Sequence, residues 1–283
     1  MSRITEYTAV NRFDTGDVLI KDGTNGTKTI TAVNAARDFG NMLGVYTHRN
    51  IYGGRVFNGL PTSDQLAAIH NGTFDDLYPG DAFVVNGRRY VVADLDYYKG
   101  RFDSLTAEGS TAKDLHHLVM IMVSGMTPAT AKMNETSTTE GAYVNSLMYT
   151  ETLPAIQEQI EEDFGSLVMT HRQSFSNATR DGVPTNRAWY DCKVNLMNEV
   201  NFYGCYHHSP SPAGVINNDH MTIDREQFAL LKLNPNYFGR TSIWLRDVVN
   251  ATYFAVAHSG GSAFYSGSAA FSYDVRPVFL LGN

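Results

Sequence analysis

The sequence predicts an α+β domain that follows a small β-rich N-terminal piece. Short apolar runs read as strands, and longer runs of helical period are segregated between them, not interleaved as in a βαβ array. A strong hairpin sits at Asn86-Gly87, where both turn positions accept the positive φ that suits twisted strands. The chain closes on Val275-Arg-Pro-Val-Phe-Leu-Leu, a good final strand.

The elements follow in order. Residues 1–45 form a separate segment, with two short strands around an Asp22-Gly23 to Asn25-Gly26 turn and a helical run from Thr31 to Met42. Such a piece is too small for its own core and leans on a partner subunit. The boundary falls near Leu43 to Arg49, and residues 46–283 make the main domain. That domain opens with a compact helix capped by Ser63, carrying Leu66, Ala67 and Ile69, and ended by Asn71-Gly72. The hairpin comes next, then a buried strand over Leu118-Val-Met-Ile-Met-Val. Apolar spacing predicts helices over Pro154 to Phe164 and Ala188 to Tyr203, and a third from a cap at Asp224 to Asn234-Pro235. No internal repeat of usable period is present.

Composition narrows the function. The 283 residues, 43% of them hydrophobic, can bury a sizeable core, and the net charge of −7 opposes general nucleic-acid binding. With 16 Tyr and 15 Phe but only 18% charged residues, the chain suits a rigid fold that presents amphipathic rings. Cys192 and Cys205 are expected to be reduced thiols of a protein made in a cytoplasm. No apolar run is long enough to span a membrane, and the N-terminus lacks a signal-peptide core.

Sites of chemistry are sparse. No Gly-x-Ser-x-Gly elbow, Walker loop or His-Glu-x-x-His occurs, and no enzyme is expected. His116-His117 and His207-His208 are adjacent pairs, poor joint zinc ligands on a strand, and read as exposed or edge-of-core histidines. Asp94 and Asp96 alternate on one strand face, and Asn217-Asn-Asp219 is a polar loop; neither makes a calcium site, so no metal or cofactor is expected. Glu158, Glu161, Glu162 and Asp163 read as the solvated face of their helix. Cys192 reads as a buried structural thiol.

The segment from Asp247 to Asp274 stands apart. Tyr253, Phe254, His258, Phe264, Tyr265, Phe271 and Tyr273 lie among many Ser, Gly and Ala residues. Tyrosines with small neighbours give large contact area at little entropy cost, as in antibody paratopes. The segment holds no Lys, Glu, Gln, Met or Trp, the types that remain excluded when adenines of AAC-type codons are randomised. An ordinary Gly/Ser-rich strand–loop–strand reads equally well from the residues alone. Trp244 just before it reads as a core anchor, with Arg246 or Arg276 pairing with a carboxylate.

Several dispersed motifs carry a resemblance. Trp244-Leu-Arg-Asp-Val-Val and Asp274-Val-Arg-Pro-Val-Phe, with Gly72-Thr-Phe-Asp-Asp-Leu-Tyr-Pro-Gly-Asp, Asn86-Gly-Arg-Arg-Tyr-Val-Val-Ala-Asp-Leu and Gly141-Ala-Tyr-Val-Asn-Ser-Leu-Met-Tyr-Thr, are similar to a phage and gut-bacterial prophage family. Its members end in a WLRDV…GVRP pattern on a C-type-lectin-like fold, and the similarity covers about residues 45–283. Asp274 stands where that family has Gly. The ending also resembles variable proteins of diversity-generating retroelements, which show a randomised C-terminal surface to a bacterial receptor.

The resemblance implies a C-type-lectin-like domain in a virion-attached receptor-binding protein, released by lysis. Residues 1–45 would attach to other phage structural proteins. A ligand surface would comprise Asn250, Thr252, Tyr253, His258, Ser259, Ser262, Phe264, Tyr265, Ser266, Ser268, Phe271, Tyr273 and Asp274. The partner would be a bacterial surface protein or glycan, and the assembly a homo-oligomer such as a trimer. The alternative is a capsid-decoration or fibre component that only packs.

Overall fold

In the computed structural model, the described residues are 18–21, 28–31, 48–100, 115–207, 224, 226–239, 241–260 and 263–282, with backbone alone for 18–21, 28–31 and 263–266. Contacts divide the chain into two units, 1–47 and 48–283. In the first, β1 (Val18–Lys21) and β2 (Lys28–Thr31) pair antiparallel, Val18 opposite Thr31. The helical run expected after Thr31 lies outside the described residues.

The second unit is mixed α+β, mostly sheet with few helices. Its largest sheet has seven strands. Across it run β11 (Val194–Leu196), β16 (Pro277–Gly282), β6 (His117–Ser124), β5 (Arg88–Leu95), β4 (Ala82–Val85) and β3 (Val56–Asn58), with β8 (Val168–Met169) also on β16. The chain's late strand β16 therefore sits inside the sheet, Val278 opposite Ile121 of β6. A five-stranded sheet orders β14 (Ala263–Ser268), β13 (Tyr253–Ala257), β12 (Ile243–Val248), β15 (Tyr273–Asp274) and β7 (Thr130–Ala131). A separate long hairpin joins β9 (His171–Arg180) to β10 (Val183–Cys192).

Alternation along the strands fills two apolar layers. Val91, Val119, Ile121, Val278 and Leu280 of the large sheet share a core with Ile243, Leu245 and Ala255 of the smaller one, closed by Phe228, Leu230 and Leu231. On the opposite face, Tyr90 and Phe279 meet Phe164 edge-on or tilted, beside Ile156 and Ile160 of α2 (Leu153–Phe164). Asn86 and Gly87, at φ 49° and 78°, make the expected tight turn between β4 and β5.

Several local expectations are corrected. The helix α1 (Ser63–His70) is capped by Thr62, not Ser63, in a reciprocal capping box with Gln65. The span Ala188 to Tyr203 is largely β10 and β11, and only α3 (Glu199–Tyr203) is helical. Residues 187–192 pair one for one with β9, and the Asn198 side chain accepts the Asn201 amide as the N-cap, so the helix begins only after Asn198. The helix α4 (Ala229–Leu233) does not start at Asp224, which is buried against Arg246. Asp163 is not solvated: it is buried and accepts from Tyr90 and Asn86 while pairing with Arg88. His117 is fully buried, its Nε2 accepting the Tyr98 amide. Asp94 and Asp96 do not share a face. Asp94 is buried against Arg49, whereas positive φ at Asp96 turns it to His116 and the His117 amide.

Candidate functional site

The C-terminal sheet is anchored from within. Trp244 on β12 is fully buried, donates Nε1–H to the Ala131 carbonyl at 2.7 Å and packs edge-on to Tyr273. Gly267 lies against it: a Cβ there would stand 2.3 Å from Val256 and 2.8 Å from the Trp244 ring. That glycine is therefore fixed by packing. Phe254, Ala255, Val256 and Ala257 are all buried, so both faces of β13 are covered. A ligand can therefore meet β13 only at its ends.

Beneath it, Arg246 is buried and paired with Asp224, and donates to the Leu196 carbonyl at 2.7 Å over the Phe175 ring. Asp224 also accepts from Tyr98, Asn198 and Asn201 at 3.0–3.1 Å. A buried charge pair is tolerable only when its remaining lone pairs and protons are satisfied, as here. On the neighbouring residue, Asp247 accepts the Glu199 amide at 2.6 Å. Burial, then the nearby Glu199 carboxylate, raise its carboxyl to about 7.

The thirteen expected residues do not form one patch. At one end, Asn250 builds the β12–β13 turn by accepting the Thr252 and Tyr253 amides at 2.9 and 3.0 Å. Thr252 accepts the Ala269 amide through its carbonyl, and Tyr253 is half-buried opposite Ser268. Ser268 itself faces inward, 2.6 Å from the Ser137 hydroxyl. Phe271 is 55% exposed, and half-buried Tyr273 beside it leads across to Asp274 at the other end. At the other end, His258 accepts the Gly260 amide, the Ser259 amide donates to Ser242, and Asp274 pairs with Arg276 at 2.7 Å. The length of β13, roughly 13 Å over four steps, separates these ends. Phe264, Tyr265 and Ser266 lie on β14, and Ser262 lies outside the described residues.

Two elements missed in the sequence join the first end. The tip of the β9–β10 hairpin, Asp181-Gly182 at φ 53° and 76°, presses on the β12–β13 turn; a Cβ on Gly182 would stand 2.6 Å from the Ala251 nitrogen. The 134–139 loop also ties in, with Thr139 donating to the Ala251 and Asn250 carbonyls and the Asn134 amide to that of Ala269. Asp181-Gly182 carries the same turn signature as Asn86-Gly87 and could have been read that way. Val183 and Phe271 are the large exposed apolar groups on these segments.

One pair has the look of a nucleophilic dyad. Cys192 Sγ is 3.7 Å from His171 Nε2, both buried. Burial raises the thiol to about 12 and lowers the imidazole to about 3, the opposite of a thiolate–imidazolium pair. The contact is structural. Among the described residues no group of three His, Cys, Asp or Glu side chains is placed to hold a metal. No family model, curated protein or solved structure matches the chain.

Proposed function

We propose that the chain is a phage-virion receptor-binding protein whose main domain is C-type-lectin-like and whose N-terminal segment attaches it to the particle. One observation carries this reading: exposed Phe271 and its half-buried neighbour Tyr273 stand at the rim of a sheet whose strand β13 is buried from Phe254 to Ala257. A rigid support with rings at its rim binds by complementarity, with little ordering cost. The ligand is a bacterial surface protein or glycan, and several copies on one particle make weak contacts sufficient. Ser268 faces inward and so takes no part. The contact surface instead gains the hairpin tip at Val183.

The test measures adsorption of purified protein to host cells. Phe271→Ser combined with Val183→Ser should abolish adsorption with an unchanged melting temperature. Undiminished adsorption by the folded double variant would overturn the proposal in favour of a packing component.

A further inference from the structure

A surface cavity of about 320 Å³ opens at the rim of the main core, lined by Arg89, Val123, Ser124, Tyr237, Phe238 and Arg276. Arg89 and Ser124 are direct partners across β5 and β6, so their side chains share a face. Tyr237 and Phe238 come from the turn after α4, their rings perpendicular and 5.3 Å apart, and Arg276 from the residue before β16. Arg89 and Arg276 each keep a buried Nε without a hydrogen-bond partner.

The charge balance leaves one cation over. Arg276 pairs with Asp274 and donates to the Val275 carbonyl at 2.9 Å. Among the described residues no carboxylate pairs with Arg89, which meets the Tyr237 hydroxyl instead. Burial holds the Arg276 guanidinium below its ordinary range even with Asp274 beside it, so the site gains from a further negative charge.

We propose that this cavity binds a small monocarboxylic acid, its carboxylate held between Arg89 and Arg276 and its ring against Tyr237 and Phe238. Guanidinium groups match a planar carboxylate. One net positive charge suits one negative charge, and a dianion would leave the second uncompensated. The volume lies at the small end of ligand sites, which run from roughly 300 to 1,000 Å³.

The experiment titrates the full chain by calorimetry with benzoate, glucuronate, benzamide and inorganic phosphate. Saturable binding of benzoate or of glucuronate is expected at millimolar concentration, the tighter one telling an aromatic body from a sugar ring. Benzamide should not bind. Arg89→Gln should weaken binding at least about tenfold at an unchanged melting temperature, and Arg89→Lys less so. The proposal is overturned if neither acid saturates, if phosphate binds as tightly as either, or if folded Arg89→Gln binds unchanged.

Discussion

At Gly267 the small-residue character of the C-terminal segment has a packing cause. The Trp244 ring and Val256 occupy the space a side chain would need. Gly267→Ala should therefore cost about 1–3 kcal/mol in chemical denaturation, as overpacking does. Phe271→Ser, at an exposed position, should stay within about 0.5 kcal/mol. Arg246 offers a sharper contrast. Arg246→Met leaves Asp224 buried without its cation and should cost about 3–5 kcal/mol, whereas adding Asp224→Asn should recover much of the loss. Trp244 as anchor, Arg246 as a carboxylate's partner and Cys192 as a buried thiol were all readable from the sequence. Ser268 was not, because a serine's spacing carries no sign of which side of a sheet it faces.

Among the elements, legibility followed local signals. The Asn86-Gly87 hairpin, β6, α2 and β16 declare themselves by turn chemistry or sustained apolar runs. The β9–β10 hairpin declares only its turn, Asp181-Gly182, and not its strands. Val194, Met197 and Val200 fall at helical spacing by coincidence, and the strand identity of residues 188–192 is set by pairing with a segment upstream. Asp163 misleads for a related reason: it is helical and charged, yet Tyr90 and Arg88 from another element enclose it. The cap of α1 is Thr62 and not the next residue because, of two good capping types, only Thr62 exchanges bonds with Gln65. Thr62→Ala should lower stability by about 1 kcal/mol, read from the thermal midpoint, while Ser63→Ala changes it little. The candidate surface was legible as a segment but not as a place, since its residues divide between two ends of one sheet.

For the whole molecule, acid response is a sum of opposed terms. Burial lowers His117 to about 4 and His171 to about 3. The unfolded chain takes up those protons first, so this stability is complete above the ordinary histidine range and is lost as pH falls from about 6.5 toward 4 and 3. Asp247 works the other way. Its raised carboxyl binds a proton in the folded state, so its contribution is complete below about 4 and is lost as pH rises through about 7. Denaturation midpoints across that window should fall on acidification. The fall should steepen in Asp247→Asn and flatten in His171→Gln.

The interior place of β16 has a consequence for how the protein is made. Residues 117–124 leave the ribosome early, yet their neighbour on one side, 277–282, follows only after some hundred and fifty further residues. Through that interval the strand Leu118-Val-Met-Ile-Met-Val offers an open, greasy margin to the cytosol. Such distant pairing folds slowly, and nascent chains halted before residue 277 should be held by chaperones and released once it emerges.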